Sequence, residues 1–202
     1  MEATAIILSG GRNSRMGKNK AFMPVGGKAI IEQTIAELEP LMNDILVVTN
    51  EPEKYRYLGV PLIVDIFPGQ GPLSGIHAGL TASRHHHNFI VACDMPFVDR
   101  HLVQAMLKMA PGYDVVVPQV GDYLQPLYAI YSKNCLLPIE QCLREDIRKV
   151  IAFYHKVRLR YASEKILGQW GDLEKIFYNI NTPDDLSKAM KFCQERDRKG
   201  GS

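Results

Sequence analysis

The chain has 202 residues, of which 46% are hydrophobic and 23% charged, and a formal net charge of +2. That length fits one domain with a substantial core, and the near-neutral balance excludes a nucleic-acid binder driven by bulk charge. No apolar run approaches the ~18 residues of a membrane span, and the opening MEATAIILSGG lacks the basic start and long apolar stretch of a secretory leader.

Short apolar runs alternate with longer amphipathic segments along the chain. Strands are expected at Ala3–Leu8, Asp44–Thr49, Pro61–Val64, Phe89–Ala92 and Asp114–Val117, each bounded by Gly, Pro, Asn or Asp. Helices are expected at Ala29–Leu41, Leu73–Ser83, Asp99–Met109, Lys133–Leu143 and Pro183–Glu195. In the first helix Ile30, Ile31, Ile35 and Leu38 share one face. Asp99 precedes RHLVQAML as an N-cap, and Thr182-Pro183 sets a cap with proline at the first helical position. Between Arg144 and Trp170 helix and strand patterns compete. Near-continuous apolar strands alternating with helices predict an α/β fold with a mostly parallel sheet covered on both faces. The four cysteines, Cys93, Cys135, Cys142 and Cys193, form no CxxC pair, which points to a reduced, cytoplasmic setting.

Parallel sheets bind ligands at the carboxyl ends of their strands. The segments expected there are SGGRNSRMGKNK, NEPEKY, DIFPGQGPLSG, CDMP and PQVGDYLQP. In the first, Gly10 and Gly11 let backbone N–H groups approach an anion, and Arg12, Arg15, Lys18 and Lys20 add positive charge. The stretch is not a P-loop, because five residues separate Gly11 from Gly17 and Asn19 follows Lys18. It is not a GxGxxG dinucleotide fingerprint either, and GQGPLSG misses that spacing by one. A phosphate site competes with a solvated basic turn, and the paired glycines favour the phosphate site.

Asp65 and Asp94 each end a strand-like run, where a carboxylate faces the crevice and suits Mg²⁺. A helix-capping role competes closely for Asp65. It competes less for Asp94, because Asp99 already caps the next helix. Asp44 and Asp114 begin strands and read as structural. His85–His87 falls at the opposite edge from the crevice and reads as a surface turn. Cys93 has no base placed to activate it and reads as a small buried hydrophobe. Tyr123, Tyr128 and Tyr131 read as sheet packing. In FYNINTPDDL, Asn179 and Asn181 would share one face of a short strand before a helix.

These stretches together resemble one family. LSGGRNSRMGKNK is similar to the L-[AS]-G-G-x3-R-M-G-x2-K signature of MobA-type molybdenum cofactor guanylyltransferases. GPLSG, CDMPF, QPLYAIY and NINTPDDL resemble further elements of that family, in order from Leu8 to Leu186. The loop and CDMPF alone would indicate only the wider nucleotidyltransferase superfamily. The resemblance implies a three-layer Rossmann-like nucleotide-diphospho-sugar-transferase-type fold, with residues 1–199 as one nucleotidyltransferase domain; the closing GGS, residues 200–202, reads as a flexible tail. It implies transfer of GMP from MgGTP to molybdopterin cofactor with release of pyrophosphate.

By the same resemblance, Leu8, Ser9 and Gly10 line the nucleotide, and Gly11 and Arg15 lie along the phosphates. Lys20 falls on the nucleotide-binding lysine, Asp65 on the nucleotide-contacting aspartate, and Asp94 on the Mg²⁺ ligand. Arg15, Lys20 and Asp94 then carry catalysis, while Asn179 and Asn181 fall on the pterin side. The chain reads VVTNEP where related enzymes place an asparagine one step earlier, so the base contact is left between Thr49 and Asn50. The implied partners are GTP, molybdopterin and, transiently, cofactor-delivery proteins or molybdoenzymes, with no nucleic acid or membrane. Two other readings stand beside it. One is a related transfer, of a cytidylyl group to molybdopterin or of a nucleotidyl group to a sugar phosphate. The other is a non-catalytic GTP-binding assembly protein.

Overall fold

The computed structural model describes residues 1–10 and 19–199, with side chains described to residue 194. The sheet begins with β1 (Ala3–Leu8), which pairs in parallel with β4 (Asp44–Val48) on one side and β6 (His87–Ala92) on the other. Beyond β4 lies the short β5 (Leu62–Ile63), also parallel. Beyond β6 come β9 (Tyr128–Ser132), β7 (Val115–Val120) and β10 (Leu159–Ser163), giving the order β10-β7-β9-β6-β1-β4-β5. β9 runs antiparallel to both β6 and β7, and β10 runs parallel to β7. A two-residue β8 (Tyr123–Leu124) folds back on β7, and β2 (Pro24–Val25) pairs β3 (Lys28–Ala29) as a separate hairpin.

The five strands expected between Ala3 and Val117 are present, with the Ala3–Leu8 bounds unchanged. β9 and β10 add to them. β10 comes from the ambiguous Arg144–Trp170 stretch, which also forms a 3₁₀ run over Val150–Lys156. The expected short strand around Asn179 and Asn181 is absent: residues 178–181 are irregular.

Period-two alternation sorts the strand side chains into two cores. Ala3, Ala5 and Ile7 of β1 and Val47, Phe89 and Val91 face α1 (Ile30–Leu38) and α3 (Arg100–Met109). Ile6, Leu8, Leu46, Val48 and Ile90 face α2 (Pro72–Ala82) and α4 (Leu136–Arg144). The sheet is therefore covered on both faces, as parallel strands require. A third, smaller cluster joins Met23, Val25, Ile30, Ile180 and Ala189 beneath α7 (Pro183–Lys199). Ile30 thus leaves the face it was expected to share with Ile31, Ile35 and Leu38.

α2 sits close on the sheet because it carries glycine one turn apart. A Cβ at Gly79 would lie 2.4 Å from Ile6 Cγ2, and one at Gly75 would lie 3.2 Å from Leu8 Cδ2. The helix starts where Gly71 takes φ +74°, a left-handed conformation that disfavours side-chain residues, followed by Pro72 in the first turn. Asp99 caps α3 by accepting from the N–H groups of His101 and Leu102 at 2.8 and 3.0 Å. At the start of α7, Thr182 Oγ1 accepts from the Asp185 N–H, and Asp185 Oδ2 accepts back from the Thr182 N–H at 2.8 Å. This reciprocal box uses aspartate where glutamate is more usual.

Candidate active site at the carboxyl edge

The carboxyl ends of β1, β4, β5 and β6 lie side by side, and each hands its next residues to one crevice. Leu8 is buried, Ser9 is 5% exposed, and Gly10 is open. The Ser9 N–H donates to Val48 O at 2.8 Å, and the Cys93 N–H donates to Leu8 O at 3.0 Å, so β1 is laced to both neighbours at this edge. Gly11, Arg12, Arg15 and Lys18 lie outside the described residues.

Asp94 follows β6. Lys20, at the head of a 3₁₀ turn over Lys20–Phe22, brings its Nζ to 3.4 Å from Asp94 Oδ2 and 2.8 Å from Asn181 Oδ1. Lys20 and Asp94 side chains are 22% and 25% exposed, so the pair is partly shielded yet reachable. The backbone carbonyl of Asp94 accepts from the Ile180 N–H at 2.9 Å. Phe97, three residues on, packs edge-on against Phe192 of α7, and Lys175 Nζ lies 4.9 Å above its ring. The C-terminal segment is thus docked on the Asp94 loop by backbone, side chain and ring contacts.

The two asparagines separate in role. Asn181 is exposed and reaches Lys20, whereas Asn179 is half-buried and turns its Nδ2 onto Phe177 O at 3.1 Å. They do not form the matched pair expected of a strand face, because no strand forms there.

At the end of β4, Thr49 and Asn50 also diverge. Thr49 is 2% exposed, and its Oγ1 accepts from the Glu51 N–H. Asn50 is exposed and brackets Asp65: its Nδ2 donates to Asp65 Oδ2 at 3.2 Å, and its Oδ1 accepts from the Asp65 N–H at 3.3 Å. Desolvation raises the Asp65 carboxyl above its ordinary value, and the Asn50 amide partly offsets this. Asp65 accepts no helix-capping bond, since Gly71 occupies the N-cap of α2.

Sequence reasoning passed over Tyr55. It lies in the Pro-led turns after β4, is fully buried, and presents its hydroxyl 2.6 Å from Ser9 Oγ and 2.7 Å from Asn19 Nδ2. An aromatic in an irregular segment carries no periodic signal, and its partners are distant in sequence.

The remaining candidates take other parts. His85 Nδ1 lies 2.9 Å from Thr4 Oγ1 and 3.6 Å from Asp44 Oδ2, at the amino edge. Burial pushes the Cys93 thiol up to about 11, which leaves it protonated at neutral pH. Tyr128 and Tyr131 are fully buried in the sheet, whereas Tyr123 is 77% exposed on β8. A shallow depression of about 790 Å³ between α5 (Glu164–Leu167) and α6 (Leu173–Ile176) is lined by none of the crevice residues.

Two carboxylates, a lysine and exposed amides around the ends of parallel strands can hold a polyphosphate and a hard cation. Residues 5–159 match the family model described as a MobA-like NTP transferase domain. The chain belongs to the MobA-like NTP transferase family. Among relatives of this MobA-like chain, the probable molybdenum cofactor guanylyltransferase of Pelotomaculum thermopropionicum is 42% identical over 96% of the chain and 95% of its own length. The molybdenum cofactor guanylyltransferase of Desulfosudis oleivorans is 37% identical over 92% and 93%. The crystal structure of molybdopterin-guanine dinucleotide biosynthesis protein A from Archaeoglobus fulgidus superposes with a TM-score of 0.83 at 27% identity, covering 95% of this chain and 99% of that one. A 2-C-methyl-D-erythritol 4-phosphate cytidylyltransferase from Thermus thermophilus shares the fold, with a TM-score of 0.71 at 20% identity over 96% and 100% of the two chains. Among the described residues, no helix is long and apolar enough to cross a membrane.

Proposed function

We propose that this nucleotidyltransferase transfers GMP from MgGTP to the terminal phosphate of molybdopterin cofactor, with residues 1–199 acting as one catalytic domain. The observation that carries the reading is the meeting of Lys20, Asp94 and Asn181 at the carboxyl edge, in a chain whose full-length relatives bear the guanylyltransferase name.

In this reading Leu8, Ser9, Gly10 and Gly11 approach the nucleotide, Asp65 and Asn50 meet its sugar or base, and Asn181 stands on the acceptor side. Asn50 is preferred to Thr49 because it is the exposed one of the two. Asn179, bonded to the Phe177 carbonyl two residues back, supports the acceptor side by shaping the turn. Among the described residues no three His, Cys, Asp or Glu side chains gather into a cage. One or two carboxylates beside a phosphate site are the donor set Mg²⁺ takes, since it keeps several waters and leans on substrate phosphates. Asp94 fits that requirement, partly open and beside Lys20. When bound, the ion supplies charge neutralisation on the phosphates.

The acceptor phosphate oxygen forms a new bond to the α-phosphorus, and the bond from that phosphorus to the bridging oxygen of pyrophosphate breaks. Two anions must meet, so the residues do electrostatic work rather than nucleophilic work. Lys20 offsets the charge accumulating around the α-phosphate, Arg15 that on the departing pyrophosphate, and the crevice walls hold the two reactants in line. The protonated Cys93 takes no part.

The test is calorimetric titration of GTP, CTP, ATP and UTP with and without Mg²⁺, followed by pyrophosphate release in the presence of molybdopterin. Tight, Mg²⁺-dependent GTP binding with release of pyrophosphate is expected. A preference for CTP would move the chain to cytidylyl transfer, and GTP binding without release would make it a binding protein.

A further inference from the structure

The Tyr55 hydroxyl joins two residues that stand on either side of the glycine-rich stretch in sequence. Ser9 leaves β1, and Asn19 opens the 3₁₀ turn that carries Lys20. Asn19 uses both ends of its amide: its Oδ1 accepts from the Ala21 N–H at 3.1 Å while its Nδ2 donates to the Tyr55 hydroxyl at 2.7 Å. The Tyr55 ring packs on Phe22 of the same turn, with centroids 4.8 Å apart. Its backbone is fixed in turn, the Tyr55 N–H donating to Pro52 O at 2.9 Å. One buried side chain therefore grips the start of the Lys20 turn through a hydrogen bond and its end through a ring.

Lys20 is a long, rotamer-rich side chain that must meet Asp94 and Asn181 on segments far away in sequence. Such a cation aims well only if its backbone is held. We propose that Tyr55 is the positioning residue for Lys20, fastening the Lys20 turn to the end of β1 through Asn19 and Ser9. The inference rests on the catalytic role proposed above for Lys20.

Tyr55→Phe tests it, because the ring and its packing on Phe22 stay while the hydroxyl goes. Steady-state guanylyl transfer is expected to lose about tenfold, the equivalent of one buried hydrogen bond, in kcat rather than KM. Asn19→Ser keeps a capping oxygen for the Ala21 N–H but is too short to reach the Tyr55 hydroxyl, so it should show the same loss even if Tyr55→Phe folds poorly. The deciding measurement is the pairing of each variant with Lys20→Ala. A residue acting through Lys20 adds no further loss once Lys20 is gone. An unchanged rate in both single variants overturns the proposal. So does a loss that multiplies with that of Lys20→Ala, which would mark a general structural role. If Lys20→Ala itself keeps the wild-type rate, the catalytic reading of Lys20 falls together with this one. That result is recognised from the single Lys20 variant alone.

Discussion

Asp94 and Asp114 stand at opposite edges of the same sheet and are treated in opposite ways. Asp114, at the amino edge beside β7, is 6% exposed and accepts from Ser132 Oγ, Asn134 Nδ2 and the N–H, Nε and guanidinium tip of Arg158. The Arg158 side chain holds its carboxyl well below the usual carboxylate range. Asp94, at the carboxyl edge, is partly open and meets Lys20 Nζ at 3.4 Å. Carboxylate oxygens offer about four acceptor sites between them. Asp114 spends its sites on the protein, whereas Asp94 keeps capacity for something that arrives. The two edges can be told apart by breaking each in turn.

The largest expected effect is on Asp94. Asp94→Ala should lower Mg²⁺-dependent transfer by about 10³-fold or more. It should leave the thermal midpoint nearly unchanged, because the bond from the Ile180 N–H goes to the Asp94 backbone and survives. Turnover assays beside a melting curve check both halves. A variant that keeps its rate would remove Asp94 from the metal site. Lys20→Ala comes next, with a loss of about 10²-fold in kcat. A change confined to KM would mean that Lys20 binds the ground state and the transition state equally.

At the amino edge the effect moves from rate to stability. Asp114→Ala strands the Ser132, Asn134 and Arg158 donors and should cost about 2–3 kcal/mol in urea unfolding. The folded fraction should still transfer GMP normally. Because folding lowers this carboxyl, its contribution is present above the ordinary carboxylate range and is lost as pH falls below it. The gap between wild type and variant should therefore narrow on acidification. A gap that is constant with pH would assign the loss to packing alone.

This division was half visible in the sequence. Whether an aspartate begins or ends an apolar run places it at one edge or the other, which was enough to set Asp44 and Asp114 apart from Asp65 and Asp94. The Asp99 and Thr182 caps were equally legible, because a cap acts within three residues of itself. What the sequence did not carry was direction and distance. Nothing in the alternation of β9 announces that it runs against its neighbours, and β10, with only Ala162 buried, is too exposed to outweigh the patterns around it. Asn181 was singled out in FYNINTPDDL and given its role by resemblance, but its bond to Lys20 spans most of the chain and leaves no local spacing. Tyr55 was missed for the same reason. The glycines of α2 marked a close approach only once Ile6 was seen beneath Gly79.

Asp65 gives the smallest effect and sharpens the contrast most. It shares the carboxyl edge with Asp94, yet desolvation raises its carboxyl rather than leaving it open. The folded state then holds that proton more tightly than the unfolded chain does. Stability therefore falls as pH rises through the ordinary carboxylate range, and the charge is carried at a cost at neutral pH. Asp65→Asn removes the charge and should raise the melting temperature slightly at pH 7, with the gain vanishing at low pH. It should also weaken nucleotide binding, if the carboxylate is kept for a ligand. Scanning calorimetry at two pH values, read beside GTP titration, checks both signs at once. A destabilised variant would show that Asp65 belongs with Asp114, as a carboxylate that holds the fold.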